Sequence, residues 1–140
     1  MAIEYSACPY FDLDEEYTLQ QVVKKAIREQ QVVSAHDVSD GGVFTALLES
    51  AMPRGLGFNV RSNPNVRKDA WLFGEAQSRV IVTVPAEQAG VFERFLRSEK
   101  TPFEVLGTVT GEKVHVDGED WGNVSAWKRT YDTVLENIMN

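Results

Sequence analysis

The run Ser34-Ala35-His36-Asp37-Val38-Ser39-Asp40-Gly41-Gly42-Val43-Phe44 constrains this chain more than any other segment. A mainly apolar stretch, Val32 to Val38, leads into two carboxylates, a hydroxyl and paired glycines, and an amphipathic pattern follows at once. That order predicts a buried strand turning sharply into a helix. Glycine supplies the turn because it lacks a Cβ, and the same freedom leaves backbone N–H groups open to a ligand. A strand-to-helix corner of this kind belongs to an α/β fold.

The flanking segments extend the alternation. Residues 1–11 read as a linker or edge segment, with Pro9 and the aromatics Tyr5, Tyr10 and Phe11 available for docking, and residues 12–140 as one domain. Asp12 and Glu15 have capping-box spacing, and Leu19, Val22, Val23, Ala26 and Ile27 recur at helical spacing behind them. Gly42 to Met52 predicts a second helix that starts at a Ser39 or Asp40 cap and stops at Pro53 and Gly55. Gly57 to Val60 reads as a short strand. Val66 to Gln77 reads as a helix with Val66, Ala70 and Phe73 inward. Arg79 to Val84, apolar on both faces, predicts a central strand. Pro85 opens a helix burying Phe92, Phe95 and Leu96. Phe103–Thr110 and Glu112–Asp117 flank Gly111 as a hairpin, with a bulge at Gly107. Ser125 caps a closing helix whose stripe is Trp127, Tyr131, Val134, Leu135 and Ile138. The fold class expected is an α/β (α+β) sandwich with a mixed β-sheet covered by helices.

Composition excludes several functions. The 140 residues carry a net charge of −7, with 14 basic residues scattered along the chain rather than gathered in a stripe, so a nucleic-acid surface is not expected. No window supplies the ~20 apolar residues of a membrane span. The single cysteine, Cys8, has no internal disulfide partner, which fits a cytoplasmic location.

Two segments hold groups suited to chemistry. In the first, Gly41, Gly42 and Val43 would offer N–H groups to an anion, Ser39 would donate to a phosphate oxygen, and Asp37 and Asp40 would hold Mg²⁺ or ribose hydroxyls. A plain helix cap explains the same residue types. In the second, Phe73-Gly74-Glu75-Ala76-Gln77-Ser78-Arg79, a carboxylate, an amide and a guanidinium stand within five residues. Glu75 and Gln77 would orient a polar ligand there, and a helix end with an exposed Glu75–Arg79 pair is the alternative. His36 lies just behind the first segment as a supporting group, and His115, between Val114 and Val116, is expected to face solvent. The histidines and the cysteine have no zinc-ligand spacing, and no P-loop, GxGxxG or nucleophile–base pair is present.

Taken in order, the corner, Leu48-Glu49-Ser50-Ala51 and Leu72-Phe73-Gly74-Glu75-Ala76-Gln77-Ser78-Arg79 resemble the C-terminal domain of the AIR-synthetase-related superfamily. The chain most resembles the last such domain of the phosphoribosylformylglycinamidine synthases (FGAM synthetases of the synthase II type) over residues 9–139. Pro9-Tyr10-Phe11-Asp12 and the closing helix agree with that placement. The resemblance implies a ligand-pocket domain of a purine-biosynthesis ligase. That enzyme uses ATP, Mg²⁺ and glutamine-derived ammonia to turn formylglycinamide ribonucleotide into its amidine. It also implies that the remaining synthase domains, a glutaminase and small accessory subunits or fused equivalents are partners, and that the isolated chain is inactive. By position, Asp37, Ser39, Asp40, Gly41, Gly42, Glu75 and Gln77 would line a pocket for a nucleotide or phosphorylated ribose, with His36 and Arg79 behind them. Where the family reads Glu-Ser-Gln this chain has Ala76, so a hydroxyl that could bond a substrate is missing; that favours an auxiliary site, with a catalytic one as the alternative. The alternatives are a domain of a sibling enzyme (AIR synthetase, selenophosphate synthetase, thiamine-phosphate kinase) and a stand-alone interaction module.

Overall fold

The computed structural model describes residues 10–139, without the side chains of residues 135–137. Tyr5, Cys8 and Pro9 lie outside the described residues, as does the side chain of Leu135. In chain order the elements are α1 (Leu13–Arg28), β1 (Ser34–Asp37), α2 (Gly42–Ala51), a 3₁₀ turn (Met52–Arg54), β2 (Gly57–Val60) and α3 (Lys68–Phe73). There follow β3 (Val80–Thr83), a 3₁₀ turn (Ala86–Gln88), α4 (Ala89–Ser98), β4 (Gly107–Thr110), β5 (Lys113–Val116), β6 (Glu119–Asn123) and α5 (Val124–Met139). No described helix is long and apolar enough to cross a membrane. The described chain forms two compact units, residues 10–40 with 75–102 and residues 41–74 with 103–139.

In the first unit, β1 and β3 form a two-stranded antiparallel ribbon in register Ser34↔Thr83 to Asp37↔Val80. The buried apolar side chains are Val22 and Ala26 of α1, Val38, Ile81 of β3 and Phe92 of α4. The expected central, two-faced strand at 79–84 is therefore a ribbon strand in which only Ile81 is buried, and β1 alternates half-buried with exposed residues. Phe95 and Leu96 are half-buried, leaving Phe92 as the buried residue of α4.

Helix α1 begins where its sequence says it should: Asp12 Oδ1 accepts from the N–H groups of Asp14 (2.9 Å) and Glu15 (3.0 Å). Its end is less obvious. Gln30 adopts a left-handed φ of 55°, and Gln31 N and Gln30 N donate back to the carbonyls of Ala26 (2.9 Å) and Ile27 (3.1 Å). Those bonds satisfy carbonyls that the helix leaves open, in a position glycine usually fills. Gln30→Gly is therefore expected to stabilise the chain by about 0.5–1 kcal/mol, read as a rise of a few degrees in thermal midpoint.

The second unit holds a four-stranded mixed sheet in the order β4-β2-β5-β6. β2 pairs antiparallel with β4 and parallel with β5, so β4 and β5 do not form the expected hairpin. The connection between them crosses the end of β2: Gly57 N donates to Gly111 O, and a Cβ on Gly57 would stand 2.0 Å from Lys113 O. Only glycine allows that crossing. The true hairpin is β5–β6, turned by Asp117 and Gly118 at φ 54° and 81°. Register between β2 and β4 is continuous through Gly107, and the irregularity falls between Lys113 and His115 instead.

One face of this sheet is the core. Phe58 and Val60 of β2 and Val114 and Val116 of β5 are buried with Val43, Phe44, Leu47 and Leu48 of α2 and Trp71 and Leu72 of α3. Helix α3 is six residues long, shorter than its sequence pattern, and it buries Trp71 and Leu72 where Val66, Ala70 and Phe73 were expected. Helix α5 starts at Val124, one residue before the expected Ser125 cap, and buries Val124. Its stripe leaves the core toward the C-terminus: Trp127 is half-buried, while Tyr131, Val134 and Ile138 are exposed. Tyr131 Oη still donates to Glu49 Oε1 at 2.6 Å.

On the other edge of the unit, Asp117 is bonded by Ser62 N (2.7 Å) and Ser62 Oγ (2.9 Å) and faces Lys68 Nζ at 3.2 Å. The Ser62 backbone bond is the main reason its carboxyl lies below the usual range, with the Ser62 hydroxyl and Lys68 adding to it against a desolvation effect. Lys68 also stands 5.6 Å from the Trp121 ring centroid, tying the start of α3 to the β5–β6 hairpin.

Candidate functional site

The two segments singled out above are far apart in sequence, and the first unit brings parts of both together. Because β1 and β3 run antiparallel with Asp37 opposite Val80, the exit of β1 lies beside the entry of β3. Val38 N donates to Arg79 O at 2.9 Å just past the last paired residues. Asp37, Ser39 and Asp40 thus follow one strand end, and Glu75 and Gln77 precede the adjacent one. All five side chains are exposed.

The 75–79 loop is pinned rather than slack. Ser78, at φ 59°, donates its hydroxyl to Glu16 Oε2 on α1 at 2.8 Å. Glu16 also accepts from Gln20 Nε2 at 2.7 Å, and these two bonds, Gln20's first, hold its carboxyl below the usual carboxylate range. Arg79 turns Nε back onto the Ala76 carbonyl at 3.0 Å, and burial lowers the guanidinium pKa. Arg79 therefore ties the loop back onto itself through its own side chain. His36 is half-buried on β1, with Nδ1 3.7 Å from Asp37 Oδ1. His115 is also half-buried, opposite Asp120 on the neighbouring strand, so it is less exposed than its alternation predicts.

The glycines belong to the second unit. Gly41, at φ 76°, is the N-cap of α2, so neither Ser39 nor Asp40 holds that position, and no side chain caps the helix. The first turn contains no acidic residue, and Thr45 Oγ1 donates to Gly41 O at 3.0 Å. The start of a helix is the positive end of its dipole, which suits an anion. Gly42 has a further duty that its sequence does not reveal. At φ 70°, a Cβ there would stand 2.7 Å from the Phe73 carbonyl carbon and 2.8 Å from the oxygens of Leu72 and Gly74. It is the point where α2 backs onto the end of α3.

No group of three or more His, Cys, Asp or Glu among the described residues could hold a metal ion. The two concavities described in the first unit both run along α1, one lined by residues including Tyr17, Gln21, Lys25 and Glu99 and the other by Leu19, Val23, Ile27 and Val80. Neither contains a residue of the two segments.

Residues 3–118 match the family described as "AIR synthase related protein, C-terminal domain". Among curated relatives, the phosphoribosylformylglycinamidine synthase subunit PurL of a Bradyrhizobium species is 34% identical over 137 residues, covering 97% of this chain and 19% of the relative. The chain thus spans about a fifth of the length of that relative. Among solved structures, T. maritima PurL complexed with FGAR superposes with a TM-score of 0.70 at 23% identity, over 84% of this chain and 21% of that one. T. maritima PurL complexed with ATP gives a TM-score of 0.64 at 23% identity, over 77% and 20%. These similarities establish that the fold is shared.

Proposed function

Because this chain belongs to the AIR synthase related proteins, as their C-terminal domain, we propose that it is the ligand-binding and packing domain of a phosphoribosylformylglycinamidine synthase. The observation that carries this reading is a synthase relative matched along 97% of the chain. The intact enzyme converts formylglycinamide ribonucleotide to its amidine with ATP and ammonia derived from glutamine. The domain alone is inactive, because a fifth of the enzyme does not hold its reacting groups. A glutaminase and small accessory subunits are the partners that would deliver ammonia.

ATP, bound by the intact enzyme, supplies the phosphoryl transfer that makes the amide oxygen a leaving group. The positive dipole end at the start of α2 suits a phosphate, which the Gly41–Val43 segment would bind through backbone N–H groups. In the first unit, the Ser39 hydroxyl donates to ligand oxygens, Asp37 and Asp40 accept from ribose hydroxyls, and Glu75 and Gln77 orient polar groups. His36 and Arg79 keep the two strand ends in place. Asp37 and Asp40 are also the carboxylates that would hold Mg²⁺, an ion commonly bound by one or two carboxylates together with the phosphates of its substrate.

Ala76 favours the reading that this domain lines an auxiliary nucleotide site, because no hydroxyl is available at the centre of the Glu75–Gln77 segment.

The test uses the intact polypeptide that carries this sequence. Asp37→Asn and Ser39→Ala are exposed changes and should leave folding intact while weakening ligand binding about tenfold, the worth of one bond to a charged group. At a catalytic site kcat/KM falls with binding. At an auxiliary site the thermal shift given by nucleotide falls while kcat holds. An intact polypeptide that forms no ADP from formylglycinamide ribonucleotide, ATP and ammonia overturns the assignment.

A further inference from the structure

Among the described residues, four besides the glycines hold a left-handed φ. Gln30 and Lys100 each follow a helix, α1 and α4, and the residue after each closes the helix end. Gln31 N donates to Ala26 O at 2.9 Å, and Thr101 N to Leu96 O at 3.0 Å. Asp117 turns the β5–β6 hairpin together with Gly118. Ser78, at φ 59°, is different: it lies in the 75–79 loop, where neither a helix end nor a hairpin turn imposes that conformation. A side chain in so sparsely populated a region persists only where its surroundings fix it.

The group that fixes it stands on α1. Asp12 caps that helix and sets its first turn, and Glu16 N donates to Asp12 O at 3.1 Å. Glu16 Oε1 accepts from Gln20 Nε2 at 2.7 Å, which leaves Oε2 to accept the Ser78 hydroxyl at 2.8 Å. Glu16 and Ser78 are both half-buried, so the bond between them is partly shielded from water. Two further bonds stay within the loop and its β1 neighbour: Arg79 Nε to Ala76 O, and Val38 N to Arg79 O. The Glu16 bond brings in a rigid element from outside.

We propose that Glu16 is a positioning residue: through the Ser78 hydroxyl it holds the backbone that aims Glu75 and Gln77 at a ligand. The inference rests on the reading of the 75–79 loop as part of a ligand site. Glu75 and Gln77 are exposed and would touch the ligand, whereas Glu16 acts through Ser78. Relaxing Ser78 to a negative φ rotates the chain before it, Gln77 included, relative to Arg79, whose carbonyl Val38 N holds. A ligand that needs Gln77 in place then binds only the fraction of molecules that keep the native loop, and its apparent affinity falls by that fraction.

Calorimetric titration of the intact polypeptide that carries this sequence, with ATP and separately with formylglycinamide ribonucleotide, tests the proposal. A variant with Glu75 and Gln77 both changed to alanine identifies the titration that reads the loop. In that titration Glu16→Ala and Ser78→Ala should each raise the dissociation constant about tenfold, and the double variant no further, because both cut one link. A titration that the loop variant leaves unchanged should stay unchanged in all of them, which a general folding defect would not allow. Glu16→Gln should bind as the parent does: its amide oxygen still accepts from Ser78, and Gln20 can turn its own amide to meet the new NH₂. Losses that multiply in the double variant overturn the proposal. So does a Glu16→Gln variant as weak as Glu16→Ala, or a Glu16→Ala variant that binds as the parent does while the loop variant does not. If the loop variant itself binds both ligands as the parent does, the loop holds neither, and that reading falls together with the proposal. Should Glu16→Ala fail to fold, Ser78→Ala decides, and parental affinity there overturns the proposal.

Discussion

Gly42→Ala is expected to destabilise the chain by about 2–5 kcal/mol, through two separable costs. The first is conformational: φ is 70° at this position, where an L side chain is strained by about 1–2 kcal/mol. The second is steric, because the new methyl would lie within 2.8 Å of the last carbonyls of α3. Backbone cannot swing aside as a flexible side chain can, so α2 and α3 must separate. Gly55→Ala isolates the first cost, since Gly55 has φ 63° and nothing within 4 Å of its Cβ position. In urea melts the Gly42 variant should lose the larger stability and the Gly55 variant only about 1–2 kcal/mol. Equal losses would mean that the contact with α3 carries no weight. A defect in ligand binding at Gly42 therefore reports on folding, and the exposed Asp37 and Ser39 are the positions at which the proposed ligand site is tested.

That distinction shows what the sequence discloses and what it withholds. Local signals came through: Asp12 caps α1, and Gly57–Val60 is a strand with the boundaries expected of it. The corner at 37–42 does join a strand to a helix. Its glycines looked like a ligand cradle in sequence, whereas Gly42 is also required by α3, an element some thirty residues away. No local pattern encodes such a contact. The β4–β5 pair failed for the same reason. Two short strands separated by a glycine read as a hairpin, yet β2 lies between them, and its parallel pairing with β5 is set by long-range packing rather than by the turn. The antiparallel pairing of β1 and β3 is equally non-local, and it is what sets Asp37 beside the 75–79 loop. Helix α5 errs in the other direction: its stripe has the right spacing, but Tyr131 and Ile138 have no core to enter within the described residues of their unit. Periodicity identifies a face and says nothing about what covers it.

Phe44→Ala is expected to cost about 3–5 kcal/mol, a large share of the roughly 5–15 kcal/mol that holds a domain of this size together. The ring is 4% exposed and sits among four others, with centroids 6.1 Å from Phe58, 5.9 Å from Phe73, 5.1 Å from Trp121 and 5.2 Å from Trp127. All four contacts are edge-on, the geometry in which a ring's positive rim meets a negative face. Those partners come from β2, α3, β6 and α5, so a single side chain of α2 joins every layer of the second unit. Truncation leaves a cavity that rigid neighbours close only in part. Phe44→Leu keeps most of the volume and loses the edge contacts, so it should cost about 1–2 kcal/mol. The near-ultraviolet signal of Trp121 and Trp127 should weaken in both variants, more so in the alanine. A double-mutant cycle between Phe44 and Trp121 should return a coupling of about 0.5–1.5 kcal/mol. A coupling of zero would mean that the cluster is held by burial alone, with ring geometry contributing nothing.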